Sequence, residues 1–282
     1  MGSLRDFIAL LDVAEVAPNR FAGTSDAGDR GIIDGSQVLG QSLVAASKTL
    51  PGRLVRSARA TFLRTIAADR DLEFDVTVVK AGRLMAFADV RCHQGDRDCV
   101  RTQVVLDAPQ PDFIRHSSSP AETTSPDNAI ERDMPMEGRT LRLDGVVDEN
   151  DPDEFGPPAL RAWLHYDAIP DRDDVRKALL AHFTGHLGIS TSLRAHRGVG
   201  TAQSHKTIST APIVVSIAFH EPVEWTDWIL YEHDSTFAGA GMSFVRGAIY
   251  ASGRELIASF SQEAMIRGLE EHELRIDEAV RL

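Results

Sequence analysis

Apolar positions along the chain follow two periods. Over residues 4–16, Leu4, Phe7, Ile8 and Leu11 share one helical face and predict a helix. Asn19 and residues 23–31 predict loop. A second helix is predicted over 36–49, where Val38, Leu39, Leu43, Val44 and Ala46 sit among small residues and Pro51-Gly52 forms the stop. Its Gly40 and alanines predict a closely packed neighbour. Beyond Gly52 the period becomes two. Strands are predicted over 54–63, 72–79, 84–92 and 99–106, with turns at Lys80-Ala81-Gly82 and Gln94-Gly95-Asp96.

The pattern breaks near Pro109. Residues 116–128, HSSSPAETTSPDN, have the composition of a solvated linker. The order then repeats: strands over 140–147 and 159–166, then a helix over 173–195 with Asp173 and Asp174 in its first turn and Arg194 in its last. Strands over 213–219, 228–234, 242–250 and 255–264 follow. Phe62, Gly82 and Gly95 have counterparts at Phe219, Gly241 and Gly253, with spacings that agree to about two residues. A duplicated α+β unit is therefore expected, with units at 1–108 and 137–282 and a linker at 109–136.

Composition narrows the function. The 282 residues are 43% apolar and 26% charged, ample for a core without staples. The net charge of −12 argues against a general nucleic-acid binder. Cys92 and Cys99 are too few for a disulfide framework or a cysteine-rich metal site. No run is long enough for a membrane helix, and the start of the chain lacks a basic, signal-like region, so a cytoplasmic location is expected. The histidines at 116, 165, 182, 196, 205, 220 and 233 are read as lacking a paired metal spacing. No P-loop or serine elbow is present, and neither cofactor nor metal is expected.

Several stretches resemble the acyl-CoA thioesterase II (TesB-like) family. In the first half they are Phe7-Ile8-Ala9-Leu10-Leu11, Phe21-Ala22-Gly23, Gly35-Ser36-Gln37-Val38-Leu39-Gly40-Gln41, Ala45-Ala46-Ser47 and Phe62-Leu63-Arg64. In the second half they are Phe219-His220-Glu221-Pro222, Trp228-Ile229-Leu230-Tyr231, Val245-Arg246-Gly247 and Ala258-Ser259-Phe260-Ser261-Gln262-Glu263. The resemblance implies a double hotdog, in which each unit wraps an antiparallel sheet around a central helix. It also implies hydrolysis of a fatty-acyl thioester of coenzyme A, by a water held by an aspartate, a threonine and a glutamine. The glutamine is present as Gln262. The aspartate position falls on Gly185, and the threonine position on Pro212.

A replacement for the lost groups is therefore sought nearby, since hydrolysis needs a base for water and donors for an oxyanion. Asp34, just before the first central helix, is one candidate. It is expected to face the partner unit, with an ordinary N-cap as the alternative. His186 adjoins the lost aspartate and could serve as base, against an ordinary helix histidine. Thr210 lies two residues before the lost threonine and keeps its face by strand parity, against a strand-edge threonine. Thr184 is a weaker spare. Lys48, Arg53, Arg56, Arg59 and Arg64, in a stretch without acids, suit phosphate oxygens collectively. The leading expectation is a thioesterase with a rearranged catalytic set. The alternatives are a non-catalytic acyl-CoA-binding homologue and, less favoured, an acyl-thioester hydratase or dehydratase, whose Gly-Asp-x-Asn-Pro motif is absent. Homo-oligomerisation is expected from the resemblance and from exposed sheet edges.

Overall fold

In the computed structural model, which describes residues 2–25, 31–134, 136–252 and 254–269, the period-two segments pair into one antiparallel sheet of 13 strands. The first half contributes helix α1 (Leu4–Leu11), strands β1 (Ala14–Ala17) and β2 (Arg20–Gly23), helix α2 (Gly35–Thr49), and β3 (Leu54–Phe62), β4 (Leu72–Ala81), β5 (Met85–Gln94) and β6 (Arg97–Asp107). The second contributes β7 (Ile130–Arg132), β8 (Arg139–Leu143), β9 (Ala159–Tyr166), helices α3 (Asp173–Phe183) and α4 (Gly188–Leu193), then β10 (Ile208–Phe219), β11 (Ile229–Gly239), β12 (Met242–Tyr250) and β13 (Leu256–Gly268).

The strand order is β1-β2-β4-β5-β6-β3-β10-β13-β12-β11-β9-β8-β7. Each half places its long helix, in chain order, between its outer strands (β1–β2, β7–β9) and the strand at the junction (β3, β10), so the duplication inferred from sequence is present. The halves join where β3 pairs with β10, from Thr61 opposite Val214 to Ser57 opposite Ala218. Each sheet curls around a helix, and this is the α+β double hotdog. Gly253, one of the sequence landmarks, lies outside the described residues.

Helix α2 is buried from Ser36 to Ala46, which explains its small residues. A Cβ on its Gly40 would lie 3.0 Å from the Ala178 carbonyl, so the expected close neighbour is α3. Of its polar residues, Gln41 donates to the carbonyls of Thr24 and Leu10 at 2.8 and 3.0 Å. Further along the seam the fully buried Lys177 reaches from α3 into both halves. Its ammonium donates to the Val55 carbonyl at 3.1 Å and pairs with Asp173 at 2.9 Å and with Glu221.

Four expectations need correction. The helix predicted over 4–16 ends at Leu11, because Asn19 at φ 61° turns the next residues into a β1–β2 hairpin. The helix predicted over 173–195 is broken: the Thr184 amide and hydroxyl both return to the Ala181 carbonyl, and Leu187 at φ 62° starts α4 afresh. Strand β10 begins at Ile208 rather than 213, since a bulge between Pro212 and Val214 absorbs the missing proline donor. The segment 109–136 is no free linker. Its Thr123 and Thr124 hydroxyls each donate to Asp144 at 2.6 Å, the Ala121 amide donates to Glu232 at 2.8 Å, and β7 pairs with β8. Among the described residues no helix is long and apolar enough to cross a membrane.

Candidate active site

Asp34 is the N-cap of α2, and its Oδ1 accepts the Ser36 amide at 2.8 Å. The capping role and a site role coincide here. Its second oxygen, Oδ2, faces the end of α3 across the seam, 3.3 Å from His186 Nε2 and 3.9 Å from His182 Nε2. The two histidines stand four residues apart, His182 in the last turn of α3 and His186 in the break before α4. His182 packs on Phe7 of α1 at 4.3 Å, while His186 stacks on Phe183 at 5.1 Å. His182 is buried, whereas the Asp34 and His186 side chains keep 20% and 15% exposure, enough for solvent or substrate to reach them.

The electrostatics favour an ionised carboxylate. Burial pushes the Asp34 carboxyl up, but His186, His182 and the Ser36 hydrogen bonds together outweigh it and hold it below the usual carboxylate range. Asp34 is therefore a hydrogen-bond acceptor at neutral pH.

Gln262, fully buried on the inner face of β13, approaches the same break from the sheet. Its Nε2 donates to the Gly185 carbonyl at 2.9 Å. Its Oε1 sits where a Cβ on Gly188 would be, 2.0 Å away, and accepts no hydrogen bond among the described residues. Gly188 is thus the residue that lets this amide fit. The break itself is equally tight: a Cβ on Gly185 would meet Ser36 Oγ at 1.7 Å. The start of α2 occupies the volume that a side chain at 185 would need. A carboxylate from one helix, two imidazoles from the next and an amide from the sheet thus converge on residues 185–186.

The structure sets Asp34 against His186 and Gln262 on the carbonyl of the neighbouring Gly185. Thr210 is not with them. It opposes Ile266, four residues and about 13 Å along β13 from Gln262, and its hydroxyl contacts Ser204 at 3.0 Å. Parity kept its face but not its place, and Val215 opposes Gln262 instead. Thr184 is turned back onto its own helix. The basic stretch is largely committed: Lys48 pairs with Asp12 at 2.7 Å, Arg59 with Glu263 at 3.1 Å, and Arg56 lies 3.7 Å from both Asp107 and Glu221. Arg53 donates to the carbonyls of Leu84 and Gly82, and Arg64 to that of Asp98 at 2.9 Å.

His182 and Ser36 were not singled out from the sequence. The expectation that the histidines lack a paired spacing is corrected, because His182-x-x-x-His186 is such a spacing. Arg139 was also missed. It is buried on the inner face of β8, 6.0 Å from the Phe183 ring, and its Nε and Nη1 find no acceptor among the described residues. Burial lowers its pKa, and the charge of Asp34 is among the groups that oppose this.

Known proteins place this geometry in context. Residues 24–106 match the acyl-CoA thioesterase N-terminal domain, and residues 115–266 the C-terminal domain. Acyl-CoA thioesterase 2 of Haemophilus influenzae is 26% identical, with 94% of this chain and 98% of that protein aligned. A TesB protein of Mycobacterium avium subsp. paratuberculosis superposes with a TM-score of 0.80 at 22% identity, covering 94% of this chain and 99% of the other. A hot dog protein of unknown function from Alicyclobacillus acidocaldarius gives 0.74 at 14% identity, over 94% and 99% of the two chains. With both halves matched in order and over most of its length, the chain belongs to the acyl-CoA thioesterase family.

Proposed function

We propose that this protein hydrolyses fatty-acyl-CoA to free acid and coenzyme A, with a catalytic set rearranged across the seam. One observation carries the reading. Ser36 at the start of α2 fills the space of the side chain missing at Gly185, and Asp34, two residues before it, sets its carboxylate 3.3 Å from His186, the residue after the break.

Water held between Asp34 and Gln262 is the nucleophile. Gln262 Oε1, which lacks a donor among the described residues, accepts a hydrogen bond from this water, and Asp34 takes its other proton as the oxygen attacks the thioester carbonyl. His186 and His182 hold the carboxylate in place. The N-terminus of α2 offers its positive dipole end to the developing oxyanion. The C–S bond then breaks, the thiolate of coenzyme A leaves and takes up a proton, and the fatty acid remains. The acyl chain lies in the apolar space between helix and sheet.

The test is thiol release from acyl-CoAs of several chain lengths. Release that is lost in Asp34→Asn with binding retained supports the rearranged hydrolase. Binding without any release supports the second reading, a non-catalytic acyl-CoA-binding protein, which the changes at Gly185 and Pro212 favour. Neither reading assigns a cofactor or nucleic-acid partner, and self-association through the sheet edges at β1 and β7 belongs to the same proposal.

A further inference from the structure

Asp34, His182 and His186 each present one ligand atom, and the three atoms lie within 4.8 Å of one another. The wiring of His186 gives this cluster a direction. Its Nδ1 lies 3.2 Å from the His182 carbonyl, an oxygen that only accepts, so Nδ1 carries a hydrogen. Its other nitrogen, Nε2, faces the Asp34 carboxylate at 3.3 Å. His182 Nε2 faces the same oxygen at 3.9 Å. A divalent cation set among these three atoms would bind all of them. A metal-bound histidine gives the N–H of its other ring nitrogen to a backbone carbonyl or a carboxylate, as His186 Nδ1 does to the His182 carbonyl.

We propose that Asp34, His182 and His186 form a transition-metal site of the zinc class. Two nitrogens and one oxygen suit such an ion better than calcium or magnesium, which prefer oxygen. Bonds of about 2.0–2.2 Å at tetrahedral angles put ligand atoms roughly 3.4 Å apart. The 3.3 and 3.9 Å separations are near this, and with all three atoms within 4.8 Å of one another no pair has to close by more than about 1.4 Å. Three protein ligands leave a fourth position open. That position carries a water, and the ion lowers its pKa toward about 7.

Binding of the ion stands without the hydrolase reading. Only its consequence rests on that reading: the metal-held hydroxide adds to the thioester carbonyl, the C–S bond breaks, and the proton released from the water ends on the coenzyme A thiolate. Asp34 then holds the ion rather than the proton.

The full chain, stripped with chelator, is titrated with Co2+ and followed by its visible d–d absorption, with zinc content per chain measured after reloading. One ion per chain is expected, displaced by Zn2+. Affinity should fall at least tenfold in His182→Ala and in His186→Ala, with far-UV circular dichroism reporting that each variant is folded. No cobalt spectrum, or equal affinity in the His182→Ala/His186→Ala double variant, overturns the site. Should a histidine variant unfold, His182→Gln and His186→Gln replace the alanines. Thiol release by stripped and zinc-loaded protein separates the two readings. Metal binding without release from either form sinks the hydrolase and keeps the site. Release that survives chelation in a protein that shows no cobalt spectrum sinks the site and keeps the hydrolase.

Discussion

The helix pair at the centre of the molecule has two equivalent ends, related by the duplication. Gly40 of α2 packs on Ala178 of α3 at the pseudo-twofold axis, and the start of each helix meets the end of the other. At one end Asp34 meets His182 and His186. At the other, Arg172 and Lys48 both bind Asp12 at 2.7 Å and close the seam. The surrounding sheets differ in the same way. Counted through matching ladders, Tyr231, His233 and Gln262 in the second half correspond to Phe74, Val76 and Val104 in the first. Duplication supplied two candidate sites, and polar chemistry is concentrated in one while the other is sealed by apolar packing and ion pairs.

This contrast can be broken in four ways. The largest effect is expected from Asp34→Asn, which removes the carboxylate whether it takes the water's proton or holds the ion, and should lower thiol release about 100-fold or more. The next is acid sensitivity of stability. His233 is fully buried, and burial, with the charge of Arg161 adding, lowers its pKa to about 3. The folded state excludes a proton that the unfolded chain binds below about 6.5. Stability from this group is therefore complete above that pH and falls by about 1.4 kcal/mol per unit as pH drops toward the folded value. His233→Val, which installs the residue of the other half, should flatten that slope in urea titrations between neutral and acid pH.

Gly185→Ala should cost about 1–3 kcal/mol, because the new methyl meets Ser36 Oγ. Ser36→Ala in the same chain should recover part of the loss, whereas Ser47→Ala at the equivalent position of α2 should stay within about 0.5 kcal/mol. Denaturant midpoints check all three. Asp12→Asn is expected to have the smallest effect: at most about 1 kcal/mol in stability, as for half-exposed ion pairs, and hydrolysis within twofold of the parent. A large loss of turnover from Asp12→Asn would erase the distinction between the two ends.

The sequence shows some of this well. The strand at Met242–Tyr250 and the strand at Ala159–Tyr166 have the predicted bounds, because alternation over eight or nine residues is an unambiguous signal. The three- and four-residue strands β1, β2 and β7 are too short to establish a period. The break after Phe183 is hidden because Thr184 caps through its own hydroxyl, and Leu187 is not a residue that advertises positive φ. Asp34 and Gln262 could be placed at the seam by resemblance, and the pairing of His182 with His186 lay open in their spacing. The meeting of Asp34 with His186 is different. It depends on how two helices 150 residues apart cross, which no local pattern encodes.

Lys177 has a consequence for the history of such a chain. Its ammonium, wholly sheltered from solvent, is neutralised by Asp173 and Glu221 on its own side and by the Val55 carbonyl on the other, while the corresponding position of α2 is Leu39. Two separate copies of either unit could not reproduce that junction: one would bring two lysines to it and the other two leucines. Within one chain the two surfaces are free to differ. Cutting the polypeptide between its halves would leave a cation facing bulk water on one fragment and a bare oily helix on the other.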